Sequence, residues 1–215
     1  MSIGSKAVTH EPALFVADAV GLDFLNSIAT PVDVPVDWIA DGAGFLNWLE
    51  QARLVPRDVL ASMRARARPG ELDRVAARAR ELREWFRTFV LRHAGAPLVA
   101  DIAELAPLNE LLARDQSHAV LVVHDDADAA AHFAIERRRR WTSPETLLLP
   151  IGEALAEVVA SEDFADIKAC EGPVCTLLFV DHTRGRARRW CSMAICGNRA
   201  KQAAHRRRRK AAKPR

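Results

Sequence analysis

Two cysteine pairs near the C-terminus restrict this chain more than any other feature. Cys170-Glu-Gly-Pro-Val-Cys175 and Cys191-Ser-Met-Ala-Ile-Cys196 have identical four-residue gaps, stand fifteen residues apart and hold all four cysteines of the 215-residue chain. Two short knuckles joined by a chain-reversing spacer can present four thiolates to one tetrahedral ion, and Zn²⁺ is the ion such sulfur sets hold. Four free thiols or two disulfides are the alternatives. The start MSIGSKAVTHEPALF lacks a signal-peptide apolar region, and no apolar run approaches the ~20 residues of a membrane span, so a cytoplasmic protein without a membrane partner is expected. In that reducing compartment, clustered cysteines favour metal over disulfides. Four sulfur ligands leave no open coordination position, so the expected cofactor is one structural zinc on Cys170, Cys175, Cys191 and Cys196.

Charge divides the chain in the same place. From His182 onward there are 13 Lys/Arg and no Asp or Glu, against 18 basic and 28 acidic side chains in the remainder. The C-terminal part has the electrostatic profile of a polyanion binder, whereas the preceding part would repel nucleic acid. The expected organisation is a regulatory domain over 1–163 and a zinc module with a basic helix and tail over 164–215.

Local patterns give an α+β fold: a mainly helical N-terminal domain with a small β-hairpin, then a treble-clef-like finger of knuckle, hairpin, knuckle and helix. Residues 15–20 have strand-compatible spacing, and GLDFLNSI reads as a helix. Amphipathic helices are predicted over 41–54, 57–68 and 71–93, the last with Leu72, Val75, Ala79, Leu82, Phe86 and Phe89 at three- and four-residue intervals. A shorter helix is expected over 102–113. Residues 119–124 and 132–136 read as a hairpin, and Ser143-Pro144 as a capped helix start running to about residue 160, with Pro150 as a kink or restart. In the module, 176–181 and 186–190 are predicted to pair as strands. Residues 197–210, rich in Ala, Gln, Arg and Lys, are predicted to form a helix.

The stretch WCSMAICGNRAKQAAHRRR, with LLFVDHTRGRARRW before it, resembles the CGNR zinc finger over about residues 164–209; the motif stands here as Cys196-Gly197-Asn198-Arg199. Upstream, GLDFLNSIA, VDWIADGAGFLNWLEQ and LREWFRTF resemble ABATE, a domain associated with stress-induced transcription regulators. The resemblance implies a bacterial transcription regulator. A helix over 197–210 is about 21 Å long, enough to lie in a DNA major groove. Asn198, Arg199 and Gln202 are types that read base edges, while Arg206 and Arg209 suit phosphates and Arg186, Arg188 and Arg189 suit a flanking backbone. DNA is therefore the expected partner, with an RNA or protein adaptor that binds an acidic surface as the alternative. A homodimer and a small-molecule ligand of the N-terminal domain complete the expected partners; Asp23 and Asn26, one turn apart, are the candidate ligand contacts. No dinucleotide fingerprint, P-loop, GxSxG or HExxH occurs, so no enzyme is expected.

Overall fold

The computed structural model describes residues 12–30, 34–124 and 132–211. Its body is built from helices whose apolar faces share one core. Helix α1 (Val20–Leu25) buries Leu22, Phe24 and Leu25 and crosses α6 (Leu149–Ser161) so closely that a Cβ on Gly21 would stand 2.5 Å from the Ala154 carbonyl oxygen. Helix α2 (Gly42–Gln51) starts where Asp41 Oδ1 accepts from the Gly44 amide at 2.7 Å. It buries Phe45, Leu46, Trp48 and Leu49. Helix α3 (Arg57–Arg66) follows, and α4 (Glu71–His93) has the predicted bounds.

Within α4 the burial departs from apolar periodicity at one point. Leu82 is half-buried, and its neighbour Arg83 is 2% exposed. Its guanidinium donates to both carboxylate oxygens of Asp37 at 2.9 and 3.0 Å and to Ser27 Oγ at 3.0 Å. A buried charge of this kind requires such bidentate pairing. The pair pins strands β1 (Ile28–Ala29) and β2 (Val36–Asp37), which are antiparallel, against α4.

Several predicted elements change at their edges. No strand forms over 15–19; that segment is held by Asp23 instead. The 102–113 helix divides into a 3₁₀ turn (Ile102–Leu105), closed by a capping box between Asp101 and Glu104, and helix α5 (Ala106–Leu112). Ser143 makes no side-chain cap; its carbonyl accepts from Thr146 Oγ1 at 2.6 Å, a 3₁₀ turn runs Pro144–Leu148, and α6 begins at Leu149 with Pro150 in its first turn. Strands β3 (Ser117–His124) and β4 (His132–Arg139) form the expected antiparallel hairpin, longer than predicted at its base.

The zinc module contains the largest correction. Strand β6 (Leu178–Val180) does not pair with residues 186–190, which form no strand; it pairs antiparallel with β5 (Ile167–Ala169), ahead of the first knuckle. The hairpin therefore encloses Cys170 and Cys175 in its loop. Buried Asp181 explains why the later segment cannot extend. It accepts from the amides of Thr183 and Arg188 at 3.1 and 2.9 Å and from Lys168 Nζ at 2.6 Å, curling the chain around one carboxylate. Burial alone would raise the Asp181 pKa, but these donors hold it well below the usual carboxylate range.

Candidate metal centre and basic helix

The four cysteines arrive from two turns. Cys170 leaves β5 and Cys175 precedes β6, with the Cys175 amide donating to the Gly172 carbonyl at 3.0 Å. Cys191 follows Trp190, and Cys196 lies in a π-helical turn (Met193–Gly197) that Ser192 opens by accepting from the Ala194 amide. Helix α7 (Asn198–Ala211) continues directly from that turn.

All four Sγ atoms lie within 4.8 Å of one another. Cys175 to Cys191 is 3.9 Å and Cys191 to Cys196 is 3.7 Å. A tetrahedron with Zn–S of about 2.3 Å has an edge of ~3.8 Å, so the sulfurs stand at ligand spacing. Two backbone amides, Gly172 and Cys191, point at Cys170 Sγ from 3.5 and 3.3 Å and would stabilise its thiolate. Space at Gly172 is tight: a Cβ would stand 3.0 Å from both Cys175 Cβ and Cys196 Sγ, so a side chain there would press on two ligands. The residues fit one structural Zn²⁺ with a closed coordination sphere.

Without a cation the cluster resists full ionisation. Cys175 is lowered to about 5 because Cys191 donates toward it. Cys191 is pushed up by that same bond, and burial pushes Cys196 up to about 12. One thiolate thus suppresses its neighbours, and a dication removes the conflict.

The expected nucleic-acid residues separate into two groups. Arg188 is 18% exposed and its guanidinium is saturated internally. It bonds Asp18 Oδ2 at 2.6 Å, the carbonyls of Val16 and Trp190 at 2.7 and 3.0 Å, and the Cys191 carbonyl, while lying 4.2 Å from the Phe179 ring centroid. It is a bracket between the finger and the segment at 16–18, not a free phosphate contact. Arg186 pairs with Asp166 at 3.1 Å, and Arg189 stacks over Trp190 at 5.0 Å while pairing with Glu171.

On α7, Asn198, Gln202 and Arg206 are exposed and Arg199 is half-buried. The side chain of Arg209 lies outside the described residues, as do Lys213 and Arg215. Between α7 and the first knuckle runs a groove of about 540 Å³, lined by Pro173, Val174, Trp190, Arg199, Ala203 and Arg206 among others. Local sequence pattern carries no signal for Trp190 as a groove wall.

Asp23 and Asn26, the candidate ligand contacts, are both buried and engaged with backbone. Asp23 Oδ1 accepts from the amides of Val16 and Ala17 at 2.9 and 3.0 Å. Burial raises the Asp23 pKa to about 6 against the lowering effect of those bonds. Asn26 donates to the Leu178 carbonyl at 2.8 Å and accepts from the Leu178 amide at 2.9 Å.

These residues extend the finger's contacts into the helical body. The Val180 amide donates to the Ala17 carbonyl at 2.9 Å, the Gly95 amide to the Phe164 carbonyl at 2.8 Å, and Phe164 packs edge-on against Phe89 at 5.9 Å. The buried core is continuous across residue 163.

Residues 18–162 match the family model ABATE, described as "Putative stress-induced transcription regulator". The chain belongs to the ABATE family. In this ABATE protein, residues 167–209 match the CGNR zinc finger, in the order expected. No curated protein matches the chain. Both matched families are regulator and zinc-finger types and not enzyme families. Among the described residues, no helix is long and apolar enough to cross a membrane.

Proposed function

We propose that this protein is a zinc-dependent DNA-binding transcription regulator in which α7 is the reading element. The observation that carries this reading is the geometry at the metal centre. The last zinc ligand, Cys196, is two residues from the start of α7, so the ion fixes the direction in which the helix leaves the fold. From that anchored end, Asn198 and Gln202 stand exposed, and Arg199 and Arg206 line the groove beside the knuckle. Amides and arginines near an anchored helix end suit base edges, and cations further along suit phosphates. Arg189 lines the same groove from the finger side, Arg186 pairs with Asp166, and Arg188 serves the fold. The acidic ABATE portion faces solvent with the opposite charge and takes the regulatory role.

The test is selection from a random DNA pool with the zinc-loaded protein, followed by binding titrations across salt concentrations. One enriched motif is expected, with its preference lost in Gln202→Ala and weakened in Arg199→Ala. Arg206→Ala is expected to weaken all sequences alike and to reduce the salt slope by about one. Absence of any enriched motif, with equal binding to RNA, would replace this reading with that of a general polyanion binder.

A further inference from the structure

We propose that the β3–β4 hairpin is the surface through which two copies of this chain pair. The register sets Leu121 opposite Ile135 and Val123 opposite Phe133, and because side chains alternate, all four fall on one face with Ala119. They are 66%, 75%, 57% and 74% exposed, respectively. The other face, with Val120, Val122 and Ala134, is half-buried. No third strand joins the hairpin among the described residues. Its firm attachment to the body is at the base, where Arg139 bonds Asp115 at 2.8 and 3.0 Å and Glu153 at 2.7 Å.

An isolated two-stranded ribbon is marginal in water, and one with a bare apolar face needs a cover. Size and charge both point to a second copy as that cover. Four such side chains present on the order of 500 Å² per copy, so two facing copies with their rims reach the ~1,000 Å² that a specific interface requires. The patch centre is uncharged and calls for no complementary charge. Among the described residues its charged margin is at the base, where Arg137 stands beside Ala119 and Arg139 beside Ser117. A two-fold axis with the hairpins antiparallel places the two bases at opposite ends, so like charges do not meet. Such closed two-fold pairing is the commonest oligomer geometry. It would bring two zinc fingers into one assembly, and it stands independently of the nucleic-acid reading, because its test contains no nucleic acid.

The experiment is sedimentation of the full-length, zinc-loaded protein from about 1 to 100 µM, with wild type, Phe133→Arg and Leu121→Lys. Wild type is expected to dimerise in this range. Each variant should shift the monomer–dimer midpoint upward by at least about 100-fold. Circular dichroism and melting of the variants, compared at concentrations low enough for the wild type to be monomeric, should stay those of the wild type, since the side chains changed are exposed. Should a variant precipitate, hydrogen exchange on wild type decides: the amides of 119–123 and 133–137 should gain protection as concentration rises. A wild-type protein that stays monomeric at 100 µM, variants that remain dimeric, or hairpin amides insensitive to concentration would each overturn the proposal.

Discussion

Asn26→Ala is expected to be among the most destabilising single changes in this protein. Asn26 is 1% exposed, and its amide faces the backbone of Leu178, donating to the carbonyl at 2.8 Å and accepting from the N–H at 2.9 Å. In the β5–β6 ladder Leu178 pairs with Ala169, and Asn26 bonds both backbone polar groups of Leu178. The side chain thus acts as a one-residue strand. Truncation leaves a buried donor and a buried acceptor unmade, each costing about 1–3 kcal/mol. Allowing for partial relaxation, the loss is about 3–5 kcal/mol, a large share of a typical folding free energy. Asn26→Asp should be at least as harmful, because it replaces the donor with an oxygen facing the Leu178 carbonyl. Urea unfolding of the zinc-loaded protein, with the slope held equal between variants, measures both. A loss below about 1 kcal/mol for Asn26→Ala, or an Asp variant as stable as wild type, would mean that water reaches Leu178 and that the amide is not the link between α1 and the finger.

Two further outcomes follow from the titrating groups. Asp23 has a folded pKa near 6, above its ordinary 3.8, so the folded state binds more protons than the unfolded state between those values. Its contribution to stability is therefore full below about pH 4 and is lost as pH rises through 6. Asp23→Asn keeps an oxygen for the Val16 and Ala17 amides and should remove that slope from melting curves taken between pH 4 and 7; an unchanged slope would refute the assignment. For the zinc centre, Cys191 and Cys196 resist ionisation until the ion binds, so loading must release protons. Chelator competition should show zinc affinity falling as pH drops from 8 to 6, by up to about tenfold per pH unit for each proton displaced. A flat profile would mean that the thiols were already ionised.

How much was legible in the sequence differs sharply between the helices and the finger. Helix α4 could be read to its ends because its signals are local: apolar residues every three or four positions, Gly70 before it and Gly95 after it. The same local reading placed a return strand over 186–190. It failed because Asp181 is a buried carboxylate that collects the nearby donors, and burial is a property of the whole fold. The internal partners of Arg188 are hidden from local pattern for a similar reason. An arginine in a basic run carries no mark that its partners are Asp18 and Val16, 170 and 172 residues away.

By itself, the sequence determined the four zinc ligands, the helical periodicity and the segregation of positive charge into the C-terminal end. These depend on spacing and composition, which act over a few residues and survive any arrangement of the rest. Only the tertiary structure decided that β6 pairs backward with β5, that Asn26 completes the backbone of Leu178 and that Arg188 bolts the finger to the N-terminal segment. It also decided that Leu121, Val123, Phe133 and Ile135 remain outside the core. Each of these outcomes depends on which surfaces are left uncovered once the core has closed, and no local pattern records that.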